Sequence, residues 1–232
     1  MILALETATP QSGVALVDER GLRAVRRSRI RSHSELLLGL IDECLAEAGA
    51  TVADLAAVAC GGGPGSFTGL RIGLATAKGL AFALGRPLLV VPSLQALARR
   101  APPGALAVAC LDAFKGEVYA CFYRAGDEPV ALGPEEAIAP PRLALRLREL
   151  LAREPLYLVG NGAQRWPELR LVGLPCADEA PPDPVDIGHL AWRRLCRGEV
   201  DDLGSAAPRY VRPSEAELHL APDGDRRSDP TR

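Results

Sequence analysis

The residues best placed to do chemistry are gathered between Gly61 and Gly73, GGGPGSFTGLRIG. Glycines that reach positive φ and admit close backbone approach, a stiffening Pro64, and Ser66 or Thr68 as helix caps specify a tight strand-to-helix turn. Such a turn presents backbone N–H groups to an anion or to another chain. Three chemistries that use it are excluded by the letters. A Walker A loop needs Lys-Ser or Lys-Thr after its last glycine, and Leu70 follows Gly69. The dinucleotide fingerprint meets Ser66 when counted from Gly61 and Thr68 when counted from Gly63. A nucleophile elbow around Ser66 would need glycine where Pro64 and Thr68 stand.

The turn is held by an apolar run, Leu55 to Cys60, and a helical one, Leu70 to Leu84. Around them the pattern predicts strands at 2–6, 12–18 and 22–30, a helix at 34–48, strands at 55–60 and 87–91, and helices at 68–84 and 93–100. Ala101-Pro102-Pro103-Gly104 breaks the chain. Strands at 105–111, 117–123 and 129–132, a helix at 141–153 and a strand at 155–159 follow. Three strands and then alternating helix and strand occur twice, an architectural repeat without residue identity. The second copy is abbreviated over 160–184, where glycine and proline are frequent.

The 232 residues are enough for two modest lobes, and 48% hydrophobic content is enough to fill them. A net charge of -2 argues against a free-standing nucleic-acid binder. The six cysteines (44, 60, 110, 121, 176 and 196) form no C-x-x-C pair and read as reduced, buried thiols. No secretory segment opens the chain and no apolar run reaches bilayer length, so a soluble cytoplasmic protein without membrane contact is expected.

GPGSFTGLRIG, with ILALETAT at the amino terminus, HSE at 33–35, AKGLA at 77–81 and PRYVRP at 208–213, resembles the TsaB (YeaZ) family. The resemblance runs from Met1 to about Pro213 and is densest over the first hundred residues. It implies an α/β, actin-like (ASKHA) two-lobed fold, each lobe a mixed sheet with flanking helices, with lobes at 1–102 and 103–213. It also implies a non-catalytic, activating subunit. Such a subunit pairs with a TsaD-like catalytic subunit, serves a TsaE-like ATPase, and supports threonylcarbamoylation of the tRNA adenosine beside the anticodon. It forms a homodimer when alone and meets tRNA only through the complex. No metal and no cofactor of its own is expected.

In actin-type ATPases an acidic residue ends the first strand of each lobe, and the corresponding positions are Glu6 and Asp112. With Thr7 or Thr9 they could hold Mg²⁺ through oxygen ligands, which makes an actin-fold ATPase or kinase the alternative reading. The other reading is a vestigial nucleotide cleft, with Glu6 and Thr7 capping a turn. Gly160-Asn161-Gly162 is either a vestige of that cleft or an ordinary turn. The H-x-x-x-H metal pair of the catalytic relatives is missing, since Leu37 stands four residues after His33. Nothing marks a peptidase triad.

The helix at 68–84 is apolar or small nearly all round, with Arg71 and Lys78 as its strongly polar members, and such a helix is covered on more than one side. Gly69, Gly73 and Ala77 are expected to admit a partner helix, with Leu70, Leu74 and Ala81 on a second face. On the preceding helix Leu37, Ile41, Cys44, Leu45 and Ala48 form the core stripe, leaving Leu36, Leu38 and Leu40 for a partner. These leucines are either covered by the chain's own second lobe or simply exposed, or else they mark an interface, which is the reading that surplus apolar surface on adjacent helices favours. Gly63, Pro64, Gly65, Ser66, Phe67, Thr68, Gly69 and Arg71 form the signature loop. The six arginines from Arg20 to Arg31 read as a solvated strand face or a tRNA-facing patch. The composition of 214–232 predicts a disordered tail.

Overall fold

The computed structural model describes residues 1–28, 33–170, 176–178 and 180–212, with side chains at 33–35 and 176–178 left aside. The tail expected to be disordered lies outside the described residues. So do the last residues of the strand expected to end at 30.

Strands β1 (Ile2–Glu6), β2 (Ser12–Asp18) and β3 (Gly21–Ser28) form an antiparallel meander. Helix α1 (His33–Ala48) and a 3-10 turn lead to β4 (Ala57–Gly61), which lies parallel to β1. Helix α2 (Phe67–Leu84) returns the chain to β5 (Leu88–Val91), parallel to β4. The five strands stand in the order β3-β2-β1-β4-β5.

A short helix α3 (Ser93–Ala98) leads to β6 (Leu106–Asp112), and the outline repeats. Strand β7 (Val118–Arg124) is antiparallel to β6, and β8 (Val130–Ala131) and β9 (Glu136–Ile138) both pair with β7. After α4 (Pro140–Leu151), β10 (Leu156–Val159) runs parallel to β6. Helices α5 (Gly162–Arg165) and α6 (Pro167–Arg170) precede β11 (Cys176–Asp178), parallel to β10. The order β11-β10-β6-β7-β8 is that of the first sheet. Two lobes sharing this meander-plus-parallel topology make the fold actin-like. The second copy is indeed abbreviated, because two four-residue helices stand where the first has the eighteen residues of α2.

Helix α7 (Pro184–Cys196) was not read from the sequence. Its signals are a capping pair: Asp183 accepts from the Val185 N–H at 3.0 Å, and Pro184 occupies the first turn. It crosses back to the first sheet, where Ile187, Leu190 and Ala191 pack on Ile2, Ala4, Ala59 and Leu89. Helices α1 and α2 cover the other face of that sheet with Leu37, Ile41, Cys44, Leu74 and Ala77. The second sheet lies between α4, through Leu143 and Leu147, and α3, through Leu94 and Leu97. No described helix is long and apolar enough to cross a membrane.

Candidate functional site

The glycine loop is a packing device directed at the end of β1. A Cβ on Gly61 would collide with the Glu6 carboxylate, one on Gly65 with the Ala8 carbonyl, one on Gly69 with the Thr7 carbonyl, and one on Gly73 with the Thr7 hydroxyl. That hydroxyl donates to the Gly69 carbonyl at 2.8 Å. Gly63 takes φ +97, and the Gly63–Pro64 bond is cis. The Ser66 side chain caps α2 by accepting from the Gly69 N–H at 3.2 Å. Part of the loop's N–H set is turned inward rather than offered outward: Gly62 donates to the Val91 carbonyl at 2.7 Å and Ser66 to the Ala8 carbonyl at 2.7 Å.

Glu6 is 1% exposed at the centre of this packing. It accepts from the Ala8 N–H at 2.6 Å and from the Ser93 hydroxyl at 2.9 Å. Burial pushes its pKa above the ordinary glutamate range, against the lowering effect of those hydrogen bonds. Asp112 ends β6 as Glu6 ends β1, but more openly. It accepts from the Phe114 N–H at 3.0 Å and pairs with Arg165 at 3.1 Å. Gly160 and Gly162 press on Cys110 at the end of β6, and the Asn161 side chain accepts from the Asp112 N–H at 3.3 Å. Each lobe thus closes a glycine-bearing turn over the end of its first strand, so the repeat extends to this loop. Among the described residues no group of three or more His, Cys, Asp or Glu side chains is arranged to hold a metal ion.

The residues expected to form a partner interface divide sharply. Gly69, Leu70, Gly73, Leu74, Ala77 and Ala81 are all buried within the chain's own fold. The small-residue ladder admits Thr7 rather than a second helix, and Leu74, Ala77 and Ala81 pack in the core beneath α1 and α2. Leu40 is buried as well, Leu36 is half-buried, and Leu38 is 55% exposed. What α2 turns outward is the opposite stripe: Thr68, Arg71, Ala75, Gly79, Phe82 and Ala83, with Phe82 79% exposed. The outer face of α1 is polar apart from Leu38 and Ala46, since Gly39, Asp42, Glu43 and Glu47 share it.

The outer end of the signature loop is covered by residues 201–212. Phe67 stacks on Tyr210 with ring centroids 4.9 Å apart, and the Arg71 guanidinium lies 3.9 Å from the Phe67 centroid. Arg71 also donates through Nε to the Tyr210 hydroxyl at 3.0 Å, and the Arg209 N–H donates to the Gly62 carbonyl at 2.8 Å. GPGSFTGLRIG and PRYVRP are therefore two halves of one structure.

A sequence relative of this architecture is tRNA threonylcarbamoyladenosine biosynthesis protein TsaB of Escherichia coli K12. It is 34% identical over 218 residues, which cover 91% of this chain and 94% of the relative. The chain belongs to the TsaB (YeaZ) family. The TsaB of Haemophilus influenzae Rd is 38% identical over 224 residues, covering 91% of this chain and 93% of that protein. The solved structure of YeaZ from Pseudomonas aeruginosa superposes with a TM-score of 0.76 at 33% identity, covering 90% of this chain and 98% of that one. The model of the family described as TsaD, tRNA N6-adenosine threonylcarbamoyltransferase, matches residues 25–160.

In this TsaB-family chain the arginines of β3 are largely spoken for. Arg23 pairs with Asp18, Arg26 with Glu43 and Glu47 of α1, and Arg27 with Asp183 at the start of α7. Arg29 and Arg31 lie outside the described residues. Cys44, Cys60, Cys110 and Cys121 are buried free thiols, and burial raises the pKa of each. Cys196 departs from the expectation, being free and exposed at the end of α7. Sequence reasoning quoted PRYVRP without a role and missed Ser93 altogether. An aromatic on each side, Phe67 and Tyr210, was the available signal for the first; nothing local marks the second.

Proposed function

We propose that this chain is the non-catalytic, activating subunit in threonylcarbamoylation of the tRNA adenosine beside the anticodon. It docks on a TsaD-like catalytic subunit and provides a platform for a TsaE-like ATPase. The observation that carries this reading is the outward stripe of α2, where Phe82 stands 79% exposed beside Ala75, Gly79 and Ala83 on a helix with no acidic residue. Apolar and small residues in a continuous exposed stripe fit a helical partner face. Leu38 of α1, 55% exposed, is a further apolar residue turned outward. On this proposal docking uses the two helices named from the sequence, with the face rotated away from the glycine ladder.

Two further features support the reading. The E. coli and H. influenzae relatives are named for threonylcarbamoyladenosine biosynthesis. The Glu6 carboxylate is enclosed and hydrogen-bonded within the first lobe, which suits a structural role for Glu6 and Thr7. When the catalytic subunit is absent, the same stripe pairs two copies, and tRNA is reached only through the complex. The lobes comprise 1–102 and 103–213, with α7 lent to the first sheet, and the protein works in the cytoplasm.

Transfer of labelled threonine to unmodified tRNA by purified TsaD and TsaE proteins, with threonylcarbamoyl-adenylate supplied, tests this directly. Transfer should require this chain, and Phe82→Glu should abolish the requirement's fulfilment while leaving the chain folded. Transfer that proceeds equally without the chain overturns the proposal.

A further inference from the structure

Among the described residues two sets of contacts join the lobes, and they are built differently. On one side, the turn after β7 is held by four side chains from α3, α7 and the residues that cap their carboxy-terminal ends: Gln95 donates to the Pro129 carbonyl at 2.9 Å and Arg99 to the Asp127 carbonyl at 3.2 Å, while Arg193 and Arg197 pair with Asp127 and Glu128. Behind them, Arg99 and Arg100 both bind Asp186 at 2.8 Å, and all three side chains are under one-fifth exposed. This is a redundant, partly buried cluster.

On the other side the connection is the segment 201–212. Asp201 pairs with Leu88 on the edge of the first sheet, and Lys78 of α2 donates to the Gly204 and Ala206 carbonyls at 3.3 and 3.0 Å. Arg209 and Tyr210 then bind the glycine loop and α2 as described. Among the described residues, the second lobe is reached by Arg209, whose charge acts on Glu135 and Tyr123, and by Val211 and Arg212. Val211 packs on the core cluster of β6 and β7, and Arg212 pairs with Glu117 at 2.8 Å and donates to the Ala113 carbonyl at 3.3 Å. That ion pair is 27% and 35% exposed at its two ends, so water and salt screen it.

We propose that residues 201–212 are a latch fixing the angle between the lobes, anchored on the first lobe and releasable at Arg212–Glu117. Among the described residues, backbone pairing and several hydrogen bonds secure the segment to the first lobe, whereas Arg212 makes the direct polar contacts to the second and Arg209 acts there through its charge. Release therefore leaves the segment on α2 while the lobes swing apart about the α3/α7 cluster. The asymmetry is that of a hinge opposite a clasp. The latch acts within one chain and does not rest on the identity of any partner.

Electron–electron distance measurements test it, with spin labels at Glu19→Cys in the β2–β3 turn and Arg148→Cys on α4. Cys176→Ser and Cys196→Ser supply the background, and labelled chain is diluted with unlabelled chain. One narrow distance population is expected for this labelled protein. Arg212→Glu should add a longer-distance population, and Glu117→Arg in the same chain should remove it. The milder Arg212→Gln should add a smaller share of it, which keeps the test decisive if Arg212→Glu lowers the thermal midpoint. An unchanged single population in both Arg212 variants overturns the latch, as does a long population that the charge swap fails to remove.

Discussion

Arg71 and Tyr210, 139 positions apart, are joined by a 3.0 Å hydrogen bond from the guanidinium Nε to the phenol oxygen. Phe67 completes the contact, with Tyr210 stacked on it and Arg71 lying over its ring. Three residues from two motifs thus hold the carboxy-terminal segment against the first turn of α2. Phe67 and Arg71 of the signature loop are thus engaged by a later segment of the same chain.

The ring should matter more than the hydroxyl. Tyr210→Phe keeps the stack and releases Arg71 to water, costing under about 1 kcal/mol. Tyr210→Ala removes the aromatic pair and should cost about 1–2 kcal/mol. It should also speed hydrogen exchange at the Arg209 amide, which bonds to Gly62. Urea melts with amide exchange would show this; equal losses in the two variants would refute the importance of the stack.

Thr7 offers a way to distinguish two glycines of the same helix. Gly73→Ala drives a Cβ into the Thr7 side-chain hydroxyl, whereas Gly69→Ala drives one into the Thr7 backbone carbonyl. Each should destabilise by about 1–3 kcal/mol through overpacking. Adding Thr7→Ala should recover part of the loss for Gly73→Ala and none for Gly69→Ala, because only the side chain can be removed. A double-mutant cycle reads the difference.

Glu6 should make stability fall as pH rises. Its folded pKa is raised from 4.5 by burial, so its contribution is fully present below the unfolded value. Above that value the unfolded chain ionises first, and the contribution is lost as pH climbs through the folded pKa. Glu6→Gln keeps an acceptor for the Ala8 N–H and can donate to the Ser93 hydroxyl. Denaturant melts from about pH 4 to pH 8 should therefore show a shallower decline for Glu6→Gln than for the native chain. Parallel curves would mean that Glu6 carries no such penalty.

Asp201 closes the open edge of the first sheet. Its N–H donates to the Leu88 carbonyl at 2.9 Å and its carboxylate accepts from the Val90 N–H at 2.7 Å, while Arg194 donates to the Val90 carbonyl at 2.9 Å. Arg194 and Asp201 are themselves paired at 3.1 Å. An unpaired edge recruits other strands. Asp201→Ala should raise light scattering on mild heating well before the native chain, and Asp201→Asn should do so less. Scattering onset unchanged in Asp201→Ala would show that the edge is protected by other means.

The sequence determined the alternation of elements, because strand and helix periods are written locally in runs such as Ile2–Glu6 and Phe67–Leu84. It determined that the glycine stretch is a tight strand-to-helix turn, and that α2 is apolar on more than one side. It also carried the family, through motifs densest in the first hundred residues. Tertiary structure alone decided which side of α2 faces out. Periodicity reports how much of a helix is apolar, but the neighbour covering each stripe is chosen by packing, and here Thr7 takes the Gly69–Gly73 side. The fate of Glu6 was settled the same way, since Ser93, its hydroxyl partner, lies 87 positions away. The return of α7 to the first sheet and the crossing of 201–212 between the lobes likewise depend on contacts between distant residues, whose energies no local pattern encodes.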